Sequence, residues 1–159
     1  MNYEIVPYSA KYRDAFYAIN VAWIKEFFTL ESEDERVLSE PERAIIEPGG
    51  AIYMAVDLDG GVVIGAVSLV NRGSGSFELS KMGVIPEAQG RGVGRAMLKE
   101  AIECFRSLKG EELFLETSSI LSPAIGLYES VGFVQQEQLR RGSKYARADV
   151  YMVWEPFSG

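Results

Sequence analysis

The segment Phe77–Leu108, FELSKMGVIPEAQGRGVGRAMLKEAIECFRSL, decides how the rest of the chain is organised. Its first part predicts a strand over Phe77–Ile85, and its middle predicts a glycine-rich turn over Gln89–Gly94. The remainder predicts an amphipathic helix, so the turn lies where this helix begins. The apolar face of the helix is predicted to comprise Val93, Met97, Ala101, Phe105 and Leu108, with Leu98 and Ile102 beside them.

The turn alternates three glycines, Gly90, Gly92 and Gly94, with larger residues that include Arg91 and Arg95. The first N–H groups of a helix have no intrahelical partner, and the helix dipole makes that end positive. Glycines let a ligand approach these N–H groups closely, so the turn is suited to a phosphate or pyrophosphate group. On glycine count alone, a flexible turn without a ligand explains the pattern equally well.

The spacing of the glycines distinguishes this turn from two other phosphate-binding loops. No Lys-Ser or Lys-Thr pair follows it, which argues against a nucleoside triphosphate loop. Arg95 stands where the dinucleotide motif G-x-G-x-x-G has its third glycine. The turn reads Q-x-x-G-x-G over Gln89–Gly94, and this pattern resembles the acyl-coenzyme A pyrophosphate loop of the GNAT superfamily of N-acyltransferases.

The remaining elements follow from local patterns. Ser9 is predicted to cap a helix that runs to about Phe28, and Pro41–Ile46 is predicted to form a short helix. The acidic stretch Leu30–Arg36 is interpreted as a solvated loop or helix end rather than as a patch that attracts substrate. The other predicted strands are Tyr3–Val6, Ala51–Val56, Val62–Val70, Leu113–Thr117, Phe133–Gln138 and Asp149–Trp154.

The composition excludes several classes of function. The chain has 159 residues, 47% of them apolar and 25% charged, which is typical of one soluble globular domain. Its net charge of −7 argues against nucleic acid as a partner. One cysteine and no histidine predict no internal disulfide, no metal site and no histidine-based catalysis. No apolar run approaches the roughly 20 residues of a membrane span, and no signal peptide is recognised, so the expected location is cytoplasmic.

A second motif lies downstream, where Ser122 and Pro123 predict the start of a short helix. The segment Pro123–Phe133, PAIGLYESVGF, resembles the A-I-x-L-Y-x-x-x-G-F segment of the same superfamily. The predicted order β-α-α-β-β-β-α-β-α-β-β also matches, so the chain is identified as a member of that family. The resemblance implies one α/β (α+β) domain over residues 1–159, a GNAT fold with a mixed, mostly antiparallel sheet of six to seven strands and helices on both faces.

The resemblance also implies acetyl-coenzyme A (acetyl-CoA) as the cofactor, bound where the strands that begin near Phe77 and Leu113 splay apart. The residues that it assigns to the cofactor are Met82, Gly83, Val84, Gln89, Gly90, Arg91, Gly92, Val93, Gly94, Arg95, Ser119 and Tyr128. Ser119 is included because many relatives have an asparagine in this region, which this chain lacks. Ser118 is the alternative.

The mechanism that the resemblance implies is direct transfer of an acetyl group to an amine. Tyr128 matches the family's usual general acid, and its reference pKa of about 10 lies near the roughly 8.5 of a thiol. Glu78 is the predicted general base, with Glu26 as the second choice and solvent as the third. Cys104 is interpreted as a small buried residue rather than as a nucleophile.

The acceptor is expected to be a small-molecule or peptide amine bound by Trp23, Glu26 and Phe27. The basic connection Arg140–Arg147 leaves a partly anionic acceptor open, although a solvated loop explains it equally well. A non-catalytic acyl-CoA-binding sensor is the alternative function. A nicotinamide-dependent oxidoreductase, with Glu116 at a dinucleotide site, is the third. Homodimers are frequent in the family, so one is allowed here, but no stretch of this sequence specifies an interface.

Overall fold

A computed structural model describes residues 2–155, and within them seven strands form one sheet. The strands are β1 (Tyr3–Pro7), β2 (Ala51–Asp57), β3 (Val63–Gly73), β4 (Ser76–Val84), β5 (Glu112–Thr117), β6 (Phe133–Gln135) and β7 (Val150–Trp154). Their spatial order is β1-β2-β3-β4-β5-β7-β6, and every neighbouring pair is antiparallel except β4 and β5. The predicted fold class is therefore confirmed. The predicted domain bounds, 1–159, extend beyond the described residues at both ends.

Helices cover both faces of the sheet. The α-helices are α1 (Arg13–Phe27), α2 (Ser32–Ser39), α3 (Val93–Ser107) and α4 (Ser122–Ser130). Turns of 3-10 helix occupy Ala10–Tyr12 and Pro86–Ala88, and a π-helical turn, Glu42–Ile46, replaces the short helix predicted after Pro41. One face carries α1 and α2, and the opposite face carries α3 and α4.

The long helix α3 buries most of the face that its sequence predicts. Its buried residues are Val93, Met97, Leu98, Ala101, Ile102 and Phe105. They pack on Phe77 and Leu79 of β4 and on the neighbouring strands. Burial of one large apolar side chain is worth about 1.5–3 kcal/mol, so this face anchors the helix and the turn before it. Leu108 is 47% exposed, contrary to prediction, because the helix ends at Ser107.

Two predictions near the N-terminus are wrong in part. The helix α1 begins at Arg13 rather than just after Ser9, because a separate 3-10 turn precedes it. The acidic stretch Leu30–Arg36 forms the N-terminal end of α2, which is one of its two predicted forms, but it is not fully solvated. In this helix Asp34 is 0% exposed and forms a capping box with Glu31.

The strands β4 and β5 form a fork. They pair in parallel only through Ser76–Glu78 and Glu112–Phe114. Beyond this pairing β4 continues to Val84 and β5 to Thr117, so the two strands separate. This is the gap that the resemblance implies, and it positions the site.

Candidate active site

A cavity of about 740 Å³ lies in the fork between β4 and β5. It extends from the N-terminus of α3 (the α3 end) to the last turn of α1 and the segment before β7 (the α1 end). The predicted site residues that line it are Trp23, Phe27, Glu78, Met82, Gly83, Val84, Gln89, Gly90, Gly92, Val93, Gly94, Arg95 and Tyr128. The lining does not include Glu26, Arg91 or Ser119.

At the α3 end, the helix begins at Val93 after Gly92, whose φ of 80° lies in the left-handed region. No side chain caps this end, so the N–H groups of Val93, Gly94 and Arg95 have no intrahelical acceptor. A Cβ on Gly90 or Gly92 would meet no atom within 4 Å, so open space lies beside these donors. Unpartnered N–H groups at a positive helix end fit the pyrophosphate of acetyl-CoA.

Two predicted cofactor residues at this end bond to protein groups. The Gln89 side-chain amide donates to the Val84 carbonyl at 3.1 Å and ties the turn to the end of β4. Arg95 donates to the Ser130 hydroxyl at 3.0 Å and joins α3 to α4. These contacts hold the glycine-rich turn in one position against both of its neighbours.

Tyr128 reaches the cavity from α4, and its ring packs edge-on against Phe133 with centroids 6.1 Å apart. Burial raises the pKa of Tyr128 to about 12, so its phenol stays protonated at neutral pH. The difference between the pKa of this phenol and that of a simple thiol is then larger than the difference of roughly 1.5 between their reference pKa values. Apolar surroundings raise the pKa of a buried thiol as well, which narrows the gap again. The Tyr128 phenol is therefore protonated at neutral pH and available to donate its proton to a departing thiolate.

The strand β4 bends where it borders the cavity. Between Ser80 and Gly83 it has one residue more than the facing β3, a β-bulge in which Lys81 has a φ of 46°. A Cβ on Gly83 would lie 2.7 Å from the Trp23 ring, so glycine here allows the indole to lie against the strand. The indole Nε1–H donates to the Asn20 side-chain oxygen at 2.9 Å, which fixes its orientation.

Glu78 lies at the α1 end with 5% exposure. Its Oε1 accepts hydrogen bonds from Nη2 and Nε of Arg72, at 2.6 and 2.8 Å, so the guanidinium neutralises and orients the carboxylate. Glu26 is exposed on α1 and does not line the cavity. Position therefore favours Glu78 over Glu26 as the carboxylate that reaches an acceptor.

The two serines proposed in place of asparagine differ in position. Ser119 donates its hydroxyl to Asp149 at 2.8 Å and its backbone N–H to the same carboxylate at 2.7 Å, outside the cavity lining. Ser118 is 5% exposed and lines the cavity. Ser118 therefore replaces Ser119 as the candidate for a cofactor contact.

A buried ion network at the α1 end was missed by sequence reasoning. Asp34 of α2 accepts hydrogen bonds from Lys81 Nζ and from Arg147 Nη2, each at 2.7 Å. Lys81 also donates to the Tyr145 hydroxyl at 2.8 Å, and Arg147 donates to Glu31 at 3.2 Å. The network joins α2, β4 and the segment before β7 around one end of the cavity.

The energetics of this network centre on Asp34. Burial alone would raise the pKa of Asp34, but hydrogen bonds from Arg147, from Lys81 and from the Glu31 N–H lower it to about 2. Burial lowers the pKa of Lys81, and the Asp34 charge opposes this shift. One sequence feature could have predicted the network: the segment Leu30–Arg36 is acidic and the basic connection carries the opposite charge. However, Asp34 and Arg147 are 113 residues apart, and no spacing rule pairs them.

Glu116 is a second carboxylate at the α1 end. It lines the cavity from β5, beyond the fork, and forms no ion pair within the described part of the chain. Burial raises the pKa of Glu116, and the charge of Glu78 raises it further.

The cysteine Cys104 does not line the cavity.

Comparison with known proteins agrees with this geometry. Residues 14–133 match the model of the acetyltransferase (GNAT) family, so the chain belongs to that family, as the two motifs predicted. It is 34% identical over 97 residues to N-alpha-acetyltransferase RimI of Mycobacterium tuberculosis, over 59% of this chain and 60% of RimI. It is 30% identical over 128 residues to an uncharacterized N-acetyltransferase of Schizosaccharomyces pombe, over 78% of this chain and 77% of that protein.

Solved structures show the same fold at low sequence identity. A GNAT acetyltransferase from Staphylococcus aureus superposes with a TM-score of 0.87 at 17% identity, over 96% of this chain and 98% of that one. The Salmonella typhimurium protein yncA, solved with its cofactor acetyl-CoA, superposes with a TM-score of 0.71 at 23% identity, over 96% and 92% of the two chains. Between residues 2 and 155, no helix combines the length and apolarity needed to cross a membrane.

Proposed function

We propose that this chain is an acetyl-CoA-dependent N-acetyltransferase that moves an acetyl group to a primary amine of a small molecule or peptide. One observation carries the proposal: a single cavity joins the unpartnered N–H groups of α3, the gap between β4 and β5, and the protonated phenol of Tyr128. Family membership supports it, as do a relative named an N-acetyltransferase and a structural neighbour that binds acetyl-CoA.

Residues at the α3 end and along the fork would hold the cofactor. The N–H groups of Gly92, Val93 and Gly94 would bind the pyrophosphate, and the edge of β4 near Met82 and Val84 would bond the pantetheine arm. The bound cofactor would supply a thioester, and attack of the amine on its carbonyl carbon would form a C–N bond as the C–S bond breaks. Backbone N–H groups near Val84 would polarise that carbonyl.

The side chains of this protein would then move the protons. Glu78, oriented by Arg72, accepts the proton that the amine must lose and passes it to solvent. Tyr128 donates its phenol proton to the departing sulfur and regains one from solvent. The aromatic side chains of Trp23, Phe27 and Phe28, which line the cavity, would exclude water and so protect the thioester from hydrolysis.

Calorimetric titration with acetyl-CoA, compared with NAD and with buffer, tests this proposal first. Saturable binding of acetyl-CoA alone, followed by amine-dependent thiol release across a panel of amines, supports the acetyltransferase. Tight binding without transfer to any amine would replace it with the acyl-CoA sensor. Absence of acetyl-CoA binding would reject both.

A further inference from the structure

The cations at the α1 end are already neutralised. Lys81 and Arg147 are the basic side chains that line this end, and both bond to Asp34. Arg147 also bonds to Glu31, so two cations face two carboxylates and the group has no net charge. The other cations of the basic connection, such as Arg140, do not line the cavity. A carboxylate on the acceptor would therefore enter this end without a free partner, which is costly.

Uncovered apolar surface lies at the same end. Phe27, in the last turn of α1, is 48% exposed and lines the cavity. Phe27 and Trp23 each pack against Phe28, with ring centroids 6.4 and 6.5 Å apart. Trp23, Phe27 and Phe28 therefore form an aromatic wall along the cavity. Exposed apolar side chains grouped around a cavity mark a place where an apolar ligand group packs.

The charge that this end leaves unbalanced is negative. Glu116 lines the cavity without an ion-pair partner among residues 2–155. Glu78 lies close enough for its charge to act on Glu116, whereas the charges of Arg72 and Arg140 act in the opposite direction. An ammonium group beside Glu116 would supply the missing positive charge.

We propose that the acceptor is a primary amine on an apolar aryl or alkyl body that carries no other charged group, its body against Phe27 and Trp23 and its amine toward Glu116. This inference rests on the acetyltransferase function and narrows its substrate class. It excludes the partly anionic acceptor that the basic connection left open, because Asp34 holds the relevant cations. Asp34 is thus a specificity determinant that does not touch the substrate.

Three amines separate the contributions of body and charge. Phenethylamine has an uncharged apolar body, L-phenylalanine adds a carboxylate, and putrescine has a short alkyl chain that ends in a second ammonium group. The measurement is kcat/KM for each, from thiol release by the unmodified chain with acetyl-CoA. We expect phenethylamine to exceed each of the others by at least about tenfold. Equal or faster transfer to L-phenylalanine or putrescine overturns the proposal, and so does turnover of other amines without transfer to phenethylamine.

A pair of exposed apolar positions provides a matched test of the wall. Phe27→Ser removes half-exposed surface at the cavity, whereas Leu58→Ser removes comparable surface, 56% exposed, in the β2–β3 turn away from it. We expect Phe27→Ser to raise the KM for phenethylamine about tenfold without a matching loss of kcat, and to raise the KM for putrescine by a smaller factor. Equal effects of the two substitutions would overturn the proposed packing.

Calorimetry separates failure of this inference from failure of the function. A chain that binds acetyl-CoA and acetylates amines other than apolar ones refutes the substrate class alone. A chain that does not bind acetyl-CoA refutes the proposed function, and the substrate class falls with it.

Discussion

The two ends of the cavity are assembled in different ways. The α3 end comes from one continuous segment, Gln89–Arg95, and its binding groups are backbone N–H groups. The α1 end joins helices, a strand and a distant segment through side chains, with Asp34 and Arg147 separated by 113 residues. The first end depends on local backbone conformation, whereas the second depends on long-range ion pairs whose desolvation cost must be recovered. Binding at the α3 end should therefore be lost through a local change in the backbone. The α1 end should be disrupted by removal of a distant ion-pair partner.

Removing the central charge of the network should have the largest effect. Asp34→Asn leaves Lys81 buried without a carboxylate and Arg147 with Glu31 as its one remaining carboxylate, and breaking a buried pair costs about 3–5 kcal/mol. Urea denaturation at pH 7 measures this loss. The matched control is Glu33→Gln in the same helix, whose ion pairs with the exposed cations Arg36 and Lys144 are worth about 0–1 kcal/mol each.

The unmodified chain and Asp34→Asn also differ in how their stability depends on pH, and the direction of this difference can be predicted. The pKa of Asp34 is about 2 in the folded chain, below its ordinary value of 3.8, so its contribution to stability is fully present above about pH 4. That contribution is lost as pH falls from about 4 through about 2. The stability gap between the unmodified chain and Asp34→Asn should therefore narrow on acidification. A gap that stays constant down to pH 2 would contradict the network.

Removing the phenol hydroxyl of Tyr128 should have the next largest effect. Tyr128→Phe is expected to lower kcat by about 100-fold while the Kd for acetyl-CoA stays unchanged, because general acids contribute roughly that much or more. Tyr53→Phe is the control, since this tyrosine packs against the same core cluster as Tyr128 but does not line the cavity. Full turnover by Tyr128→Phe would remove the general acid, and weakened cofactor binding would make the ring a packing element.

What the sequence could predict follows the same division. The turn Gln89–Gly94 and the segment Pro123–Phe133 are local motifs, so the fold, the fork and the α3 end followed from them. The burial of Asp34 did not, because an acidic stretch has the same local pattern whether it faces water or a distant cation. Ser118 and Ser119 show the same limit at short range. Adjacent serines are equivalent in sequence, and only the contact with Asp149 separates them.

A local change should disable the α3 end. Gly92 has a φ of 80°, which costs a side chain about 1–2 kcal/mol, and an aspartate there also opposes the pyrophosphate. Gly92→Asp is therefore expected to weaken acetyl-CoA binding about 50-fold by calorimetry. Gly61→Asp has the same backbone problem, with a φ of 71° and open space, in the distant β2–β3 turn. If Gly92→Asp and Gly61→Asp weaken acetyl-CoA binding equally, the cause is a general folding defect rather than a change at the α3 end.

The smallest effect separates the two carboxylates proposed as the base. Glu78→Gln keeps the size of the side chain but removes the proton acceptor, so kcat should fall about tenfold and the acidic limb of the pH–rate profile should change. Glu26→Gln should leave both unchanged, because the Glu26 side chain is exposed and outside the cavity lining. If neither substitution alters the profile, the amine loses its proton to solvent. The α1 end would then bind and orient the acceptor without taking part in proton transfer, and the α3 end with Tyr128 would carry the chemistry alone.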